Sequence, residues 1–92
     1  MDEKQLEAEI LFQKGAFDEA LNLLNSVLES ENQNADCLML RATIFYKMQQ
    51  WGNALNDLNS ILEKEPNHQA ATNYKTMIMN ILTFWNKESF NP

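Results

Sequence analysis

Residues 17–31, FDEALNLLNSVLESE, and residues 51–65, WGNALNDLNSILEKE, are two copies of one segment set 34 positions apart. Ala20, Leu21, Asn22, Leu24, Asn25, Ser26, Leu28, Glu29 and Glu31 recur at 54, 55, 56, 58, 59, 60, 62, 63 and 65. The register continues upstream without a gap. Asp2, Leu6, Ala8 and Ile10 match Asp36, Leu40, Ala42 and Ile44, which makes thirteen identities in thirty-four positions. Phe17/Trp51 and Val27/Ile61 are close substitutions. A fixed period of this length marks a stacked-repeat architecture, in which one unit cannot bury its apolar face alone.

Within each unit the apolar spacing is helical. Leu38, Ala42 and Phe45 form one stripe, and Ala54, Leu55, Leu58, Ile61 and Leu62 form another at i, i+3, i+4 and i+7. Pro66 stops the second helix of its unit, and Asn32 takes the same slot one repeat earlier. Asp18 and Glu19 stand where they complement the dipole at a helix N-terminus. Only two Gly and two Pro in 92 residues leave too few turns for an all-β chain. The expected fold is all-α: two antiparallel helix pairs, residues 2–34 and 35–68, within one domain spanning 1–92.

The small residues carry a family resemblance. Ala8, Ala20, Ala42 and Ala54 occupy helix-crossing slots, where a larger side chain would overpack by roughly 1–3 kcal/mol. With Leu38, Arg41, Phe45, Leu58 and Pro66 they follow the W-x2-L-G-x2-Y, A-x3-F, P pattern of the tetratricopeptide repeat, which the chain resembles over residues 2–68. The first slot is never Trp, and the second is charged in both units (Glu7 and Arg41).

Residues 69 to about 85 read as a third first-helix. Tyr74, Ile78 and Leu82, which correspond to Leu40, Ile44 and Met48, face the preceding repeat. Thr72, Thr76 and Met79, which correspond to Leu38, Ala42 and Phe45, face outward. A helix apolar on one side and mostly polar on the other is expected to cap the array and to mark its natural end. Trp85 falls on the slot of Phe17 and Trp51 and is expected to close the bottom of the second helix pair. Phe84 is expected to border the concave side, and the tail NKESFNP to turn back so that Phe90 covers Met79.

Charge and chemistry narrow the function. Of the net charge of −6, residues 1–34 carry eight acids and two bases, and residues 69–92 one acid and two bases. This is the reverse of a phosphate-binding surface, so nucleic acid is not an expected partner. The longest nearly apolar run, Met77 to Trp85, is too short to cross a bilayer, and MDEKQLEAEI lacks the basic and apolar segments of a secretory signal. A lone Cys37 suits a reducing, cytoplasmic setting. His68 and Cys37 stand apart from any metal or nucleophile motif, and the acidic pairs read as helix-start charges. No catalytic, cofactor or metal residue is expected, and no enzyme.

What the resemblance implies is a concave groove lined by the first helix of each repeat, holding a peptide or a partner's helix. By position, that groove takes Gln5, Glu9, Phe12 and Gln13 from the first unit. Asp36, Met39, Thr43, Tyr46 and Lys47 come from the second, and Asn73, Met77 and Asn80 from the cap. Its acidic front favours a neutral or basic partner. Family members that grip acidic C-terminal tails use basic and amide side chains where this chain has Gln5, Glu9, Leu40, Ala70 and Tyr74, so such tails are not expected ligands. The alternative is self-association as a homodimer, through the Leu6/Ile10 edge or through the tail aromatics Phe84 and Phe90.

Overall fold

Five helices follow one another in a computed structural model that describes the backbone of residues 3–90 and the side chains of residues 3–85. They are α1 (Glu3–Gln13), α2 (Phe17–Ser30), α3 (Ala35–Lys47), α4 (Trp51–Lys64) and α5 (Gln69–Phe90). The 34-residue register is kept to the residue: α2 and α4 start and end at equivalent positions, and so do the ends of α1 and α3. Packing follows chain order, α1 on α2, α2 on α3, α3 on α4 and α4 on α5, with α1 also touching α3 and α3 touching α5. The first helices therefore line one side and the second helices the other.

The turn inside each pair is built twice from the same bonds. In the first, Gly15 N–H donates to Phe12 O (2.9 Å) and Ala16 N–H to Leu11 O (2.9 Å). In the second, Gln49 N–H donates to Tyr46 O (3.0 Å) and Gln50 N–H to Phe45 O (2.8 Å). This closure needs a left-handed residue just past the helix end, supplied by Gly15 (φ 78°) and by Gln49 (φ 61°). A Cβ added at Gly15 would meet no atom within 4 Å, so the cost of replacing it is conformational alone. Gly15→Ala is expected to lower stability by about 1 kcal/mol, and Gln49→Gly to raise it by about 0.5–1 kcal/mol, in urea titrations.

The equivalent position in α5 is Thr83. A β-branched residue does not adopt the left-handed region readily, and α5 runs straight through it to Phe90 instead of turning. For this reason the cap helix does not stop near Trp85. The expectation that the tail covers Met79 with Phe90 falls on a side chain outside the described residues. Trp85, carried past the body by the continuing helix, is 60% exposed and does not close the second pair.

Caps at the other junctions are local. The Asn34 side chain accepts Cys37 N–H (3.1 Å) at the start of α3, and His68 Nδ1 accepts Ala71 N–H (3.1 Å) at the same slot of α5. Ala8, Ala20, Ala42, Ala54 and Ala71 are completely excluded from solvent, which lets the helices cross closely. Around them Leu24, Ile44, Leu58, Ile61 and Ile78 form the core. The outward residues of α5, Thr72, Thr76 and Met79, are exposed as the register predicts, whereas Ala71 and Ile78 are buried against the preceding repeat.

Candidate functional site

Glu9, Phe12, Met39 and Thr43 come together on the side formed by the first helices. With Gln5, Asp36, Leu40 and His68 they line an open hollow of about 450 Å³ between α1 and α3. Each wall is fixed from beneath. Gln5 is 7% exposed, and its Oε1 accepts the Cys37 thiol (3.6 Å), joining α1 to α3 under the hollow. Phe12 stacks on Phe17 with ring centroids 5.9 Å apart. Thr43 Oγ1 donates to Met39 O (2.9 Å), which uses its hydroxyl within its own helix. His68, held at its cap by Nδ1, forms the C-terminal rim.

The surface is therefore apolar in the middle, at Phe12 and Met39, with carboxylates at Glu9 and Asp36. Neither carboxylate has an ion pair among the described residues. No lysine or arginine lines the hollow.

The other residues assigned to the groove are not part of this hollow. Gln13 and Lys47 are exposed at the ends of their helices. Tyr46 is half-buried, edge-on to Trp51 (5.5 Å) and to Tyr74 (5.2 Å), so it braces α3 against α4 and α5. Asn73 is exposed and accepts a bond from Gln69 (3.0 Å). Met77 is 41% exposed. Asn80 lines a separate hollow on the outer side of α5, with Leu62, Pro66 and Met79. Of the residues proposed for self-contact, Leu6, Ile10 and Phe84 are all about half exposed, and Phe84 lies edge-on to Trp85 at 6.0 Å. Trp85, Trp51, Leu82 and Gln49 border a further shallow hollow beneath the overhang of α5.

On the opposite side sits a feature that reading the sequence missed. Asp57, 4% exposed, receives Arg41 Nε (2.8 Å) and a second guanidinium nitrogen (2.7 Å), while the third nitrogen donates to Asn25 (2.8 Å). Arg41 of α3 thus ties α4 to α2 across the repeat boundary, with its guanidinium 5.9 Å from the Phe45 ring centre. The hydrogen bonds to Asp57 raise the Arg41 pKa above its ordinary value; burial opposes this and the Asp57 charge adds to it. The pair was legible as a double change between repeats, since Glu7 and Leu23 hold the equivalent slots in unit one.

Among the described residues no three side chains converge as metal ligands, and no helix is long and apolar enough to cross a membrane. A sequence profile of the tetratricopeptide repeat family matches residues 11–74. No curated protein and no solved structure matches the chain.

Proposed function

The chain belongs to the tetratricopeptide repeat family, whose members are generally protein-interaction modules, and from that premise we propose that it captures a protein segment in the hollow between α1 and α3. One observation carries the reading. Two apolar anchors, Phe12 and Met39, lie between carboxylates that have no ion pair among the described residues, on a surface without lysine or arginine. A segment that presents a large apolar side chain beside lysine or arginine matches this arrangement in both shape and charge. Methionine adapts to varied side chains, and Phe12 is held in place by its stack on Phe17. An acidic tail would be repelled by Glu9 and Asp36.

The function is non-enzymatic, requires no cofactor, and does not extend to nucleic acid or membrane. The lone Cys37 supports a cytoplasmic setting, and the whole chain acts as one domain. Selection from a displayed random-peptide library tests the reading. Enriched sequences are expected to pair lysine or arginine with a large apolar residue. Met39→Ala should weaken the best binder about tenfold, the loss of one buried anchor. Glu9→Lys with Asp36→Lys should reverse the charge preference. Peptides enriched without bias, or equally well bound by the charge-reversed chain, would remove the hollow from the account.

A further inference from the structure

His68 lines the hollow between α1 and α3 from the turn before α5, and one nitrogen of its half-buried ring is already committed. Ala71 N–H donates to Nδ1 (3.1 Å), so Nδ1 carries a lone pair and the proton of the neutral imidazole sits on Nε2. The backbone is fixed on both sides. His68 N–H donates to Glu65 O (3.0 Å), while Thr72 N–H and Thr72 Oγ1 donate to His68 O (3.1 and 3.0 Å). One repeat earlier the same slot holds Asn34, which caps α3 through its side-chain oxygen. Asparagine caps without titrating, whereas this histidine caps only while neutral.

The charges around the ring are of one sign. Glu9 of α1 and Asp36 of α3 line the same hollow, and no lysine or arginine does among the described residues. Glu65 stands at the end of α4, three residues before His68. Gln69, Ala70, Ala71 and Thr72 at the start of α5 are uncharged, and Lys75 lines the separate hollow on the outer side of that helix. A proton on Nδ1 would set one N–H against another and put a cation at the positive end of α5. It would also add a positive charge to a hollow whose other charges are Glu9 and Asp36.

We propose that His68 is a specificity-determining residue of this hollow, acting through its charge. Neutral, it holds the cap of α5 and leaves Glu9 and Asp36 to a lysine or arginine of the bound segment. Protonated, it gives up the cap, offsets part of the carboxylate charge and repels that segment. The role rests on capture in the hollow as proposed above. Imidazole is the ordinary side chain that changes charge between about pH 5 and pH 8, an interval in which exposed carboxylates stay ionised. Capture of a basic segment therefore weakens as pH falls through that interval. A like charge added within one small hollow lowers affinity by about tenfold.

The probe is the best lysine- or arginine-containing peptide from the displayed library, titrated into the full chain at about pH 7.5 and about pH 5.5. Affinity is expected to be about tenfold lower at the acidic value. His68→Asn, which keeps a cap of the Asn34 kind, should bind equally well at both. A peptide with citrulline or norleucine in place of its base should lose the pH dependence on the native chain. In the free chain the Ala71 amide resonance should move in step with the His68 imidazole, the signature of a cap that exists only in the neutral form. Native binding that is equal at both pH values overturns the proposal and leaves capture standing. So does a pH dependence that persists in His68→Asn. A library that enriches no peptide at either pH removes capture and this role together. Should His68→Asn unfold, the native chain decides: an Ala71 resonance that stays fixed while the imidazole titrates, or a neutral peptide with the same pH dependence as the basic one, overturns the proposal equally.

Discussion

Replacing Asp57 with alanine is expected to destabilise the chain by about 2–3 kcal/mol in urea unfolding, between the values for exposed and for fully buried ion pairs. The carboxylate is nearly buried and Arg41 is partly so, with side-chain exposures of 5% and 23%. Without Asp57 the guanidinium keeps its desolvation cost and loses both bonds of its fork, retaining only Asn25. A chain of 92 residues is stable by roughly 5–14 kcal/mol on the usual per-residue scale, so the loss is a substantial share of the whole. Arg41→Leu in the same chain as Asp57→Leu is expected to recover most of it. Unit one already places Leu23 in the Asp57 slot, and removing both charges removes both desolvation costs.

The pH dependence of this bridge has a definite sign on the arginine side. A raised pKa means that the contribution is fully present below the unfolded value of Arg41 and is lost only as pH rises through its folded value. Both lie above the range in which the protein would be handled. Titration of Arg41 therefore does not modulate the junction at ordinary pH, and a stability change there arises elsewhere.

Leu58→Ala is expected to lower stability by about 2–5 kcal/mol, and Leu24→Ala by a comparable amount. Both leucines are completely excluded from solvent and occupy one slot in successive repeats. They share one core with Ala20, Ala42 and Ala54, also fully buried, whose short side chains cannot extend into a new cavity. Helix–helix spacing is set by those alanines, so the space left by a lost isobutyl group stays largely open. Thermal or urea unfolding of the two variants gives the comparison directly.

The fold was readable because its determinants are periodic. The 34-residue offset fixed both helix pairs, and alanine at four equivalent crossings identified where helices approach. The outward polarity of Thr72 and Thr76 marked α5 as the last helix packed in the described array. What escaped the reading depends on single positions. The register correctly paired Trp85 with Phe17 and Trp51, but those two follow a left-handed turn residue, whereas Trp85 follows Thr83 in an unbroken helix. The same slot therefore packs in two units and projects in the third.

The site was partly legible for a similar reason. Position along a first helix placed Glu9, Phe12, Met39 and Thr43 on one surface, because they lie where α1 and α3 run side by side. It failed for Tyr46, whose ring is taken up by Trp51 and Tyr74, and for Asn80, which α5 turns toward its outer side. Contacts across helices decided both, and periodicity does not report them. His68 stands apart from any metal or nucleophile motif in the sequence; its role as the cap of α5 follows from its equivalence to Asn34.

The most direct test of peptide capture is amide chemical-shift mapping of the labelled chain with a library-selected peptide. Saturable shifts are expected at Glu9, Phe12, Asp36, Met39 and Thr43, with little change at Asn25, Asn56 and Ser60, which line a hollow with Arg41 and Asp57 on the opposite side. Shifts centred on that second set, with the α1–α3 surface silent, would contradict the account.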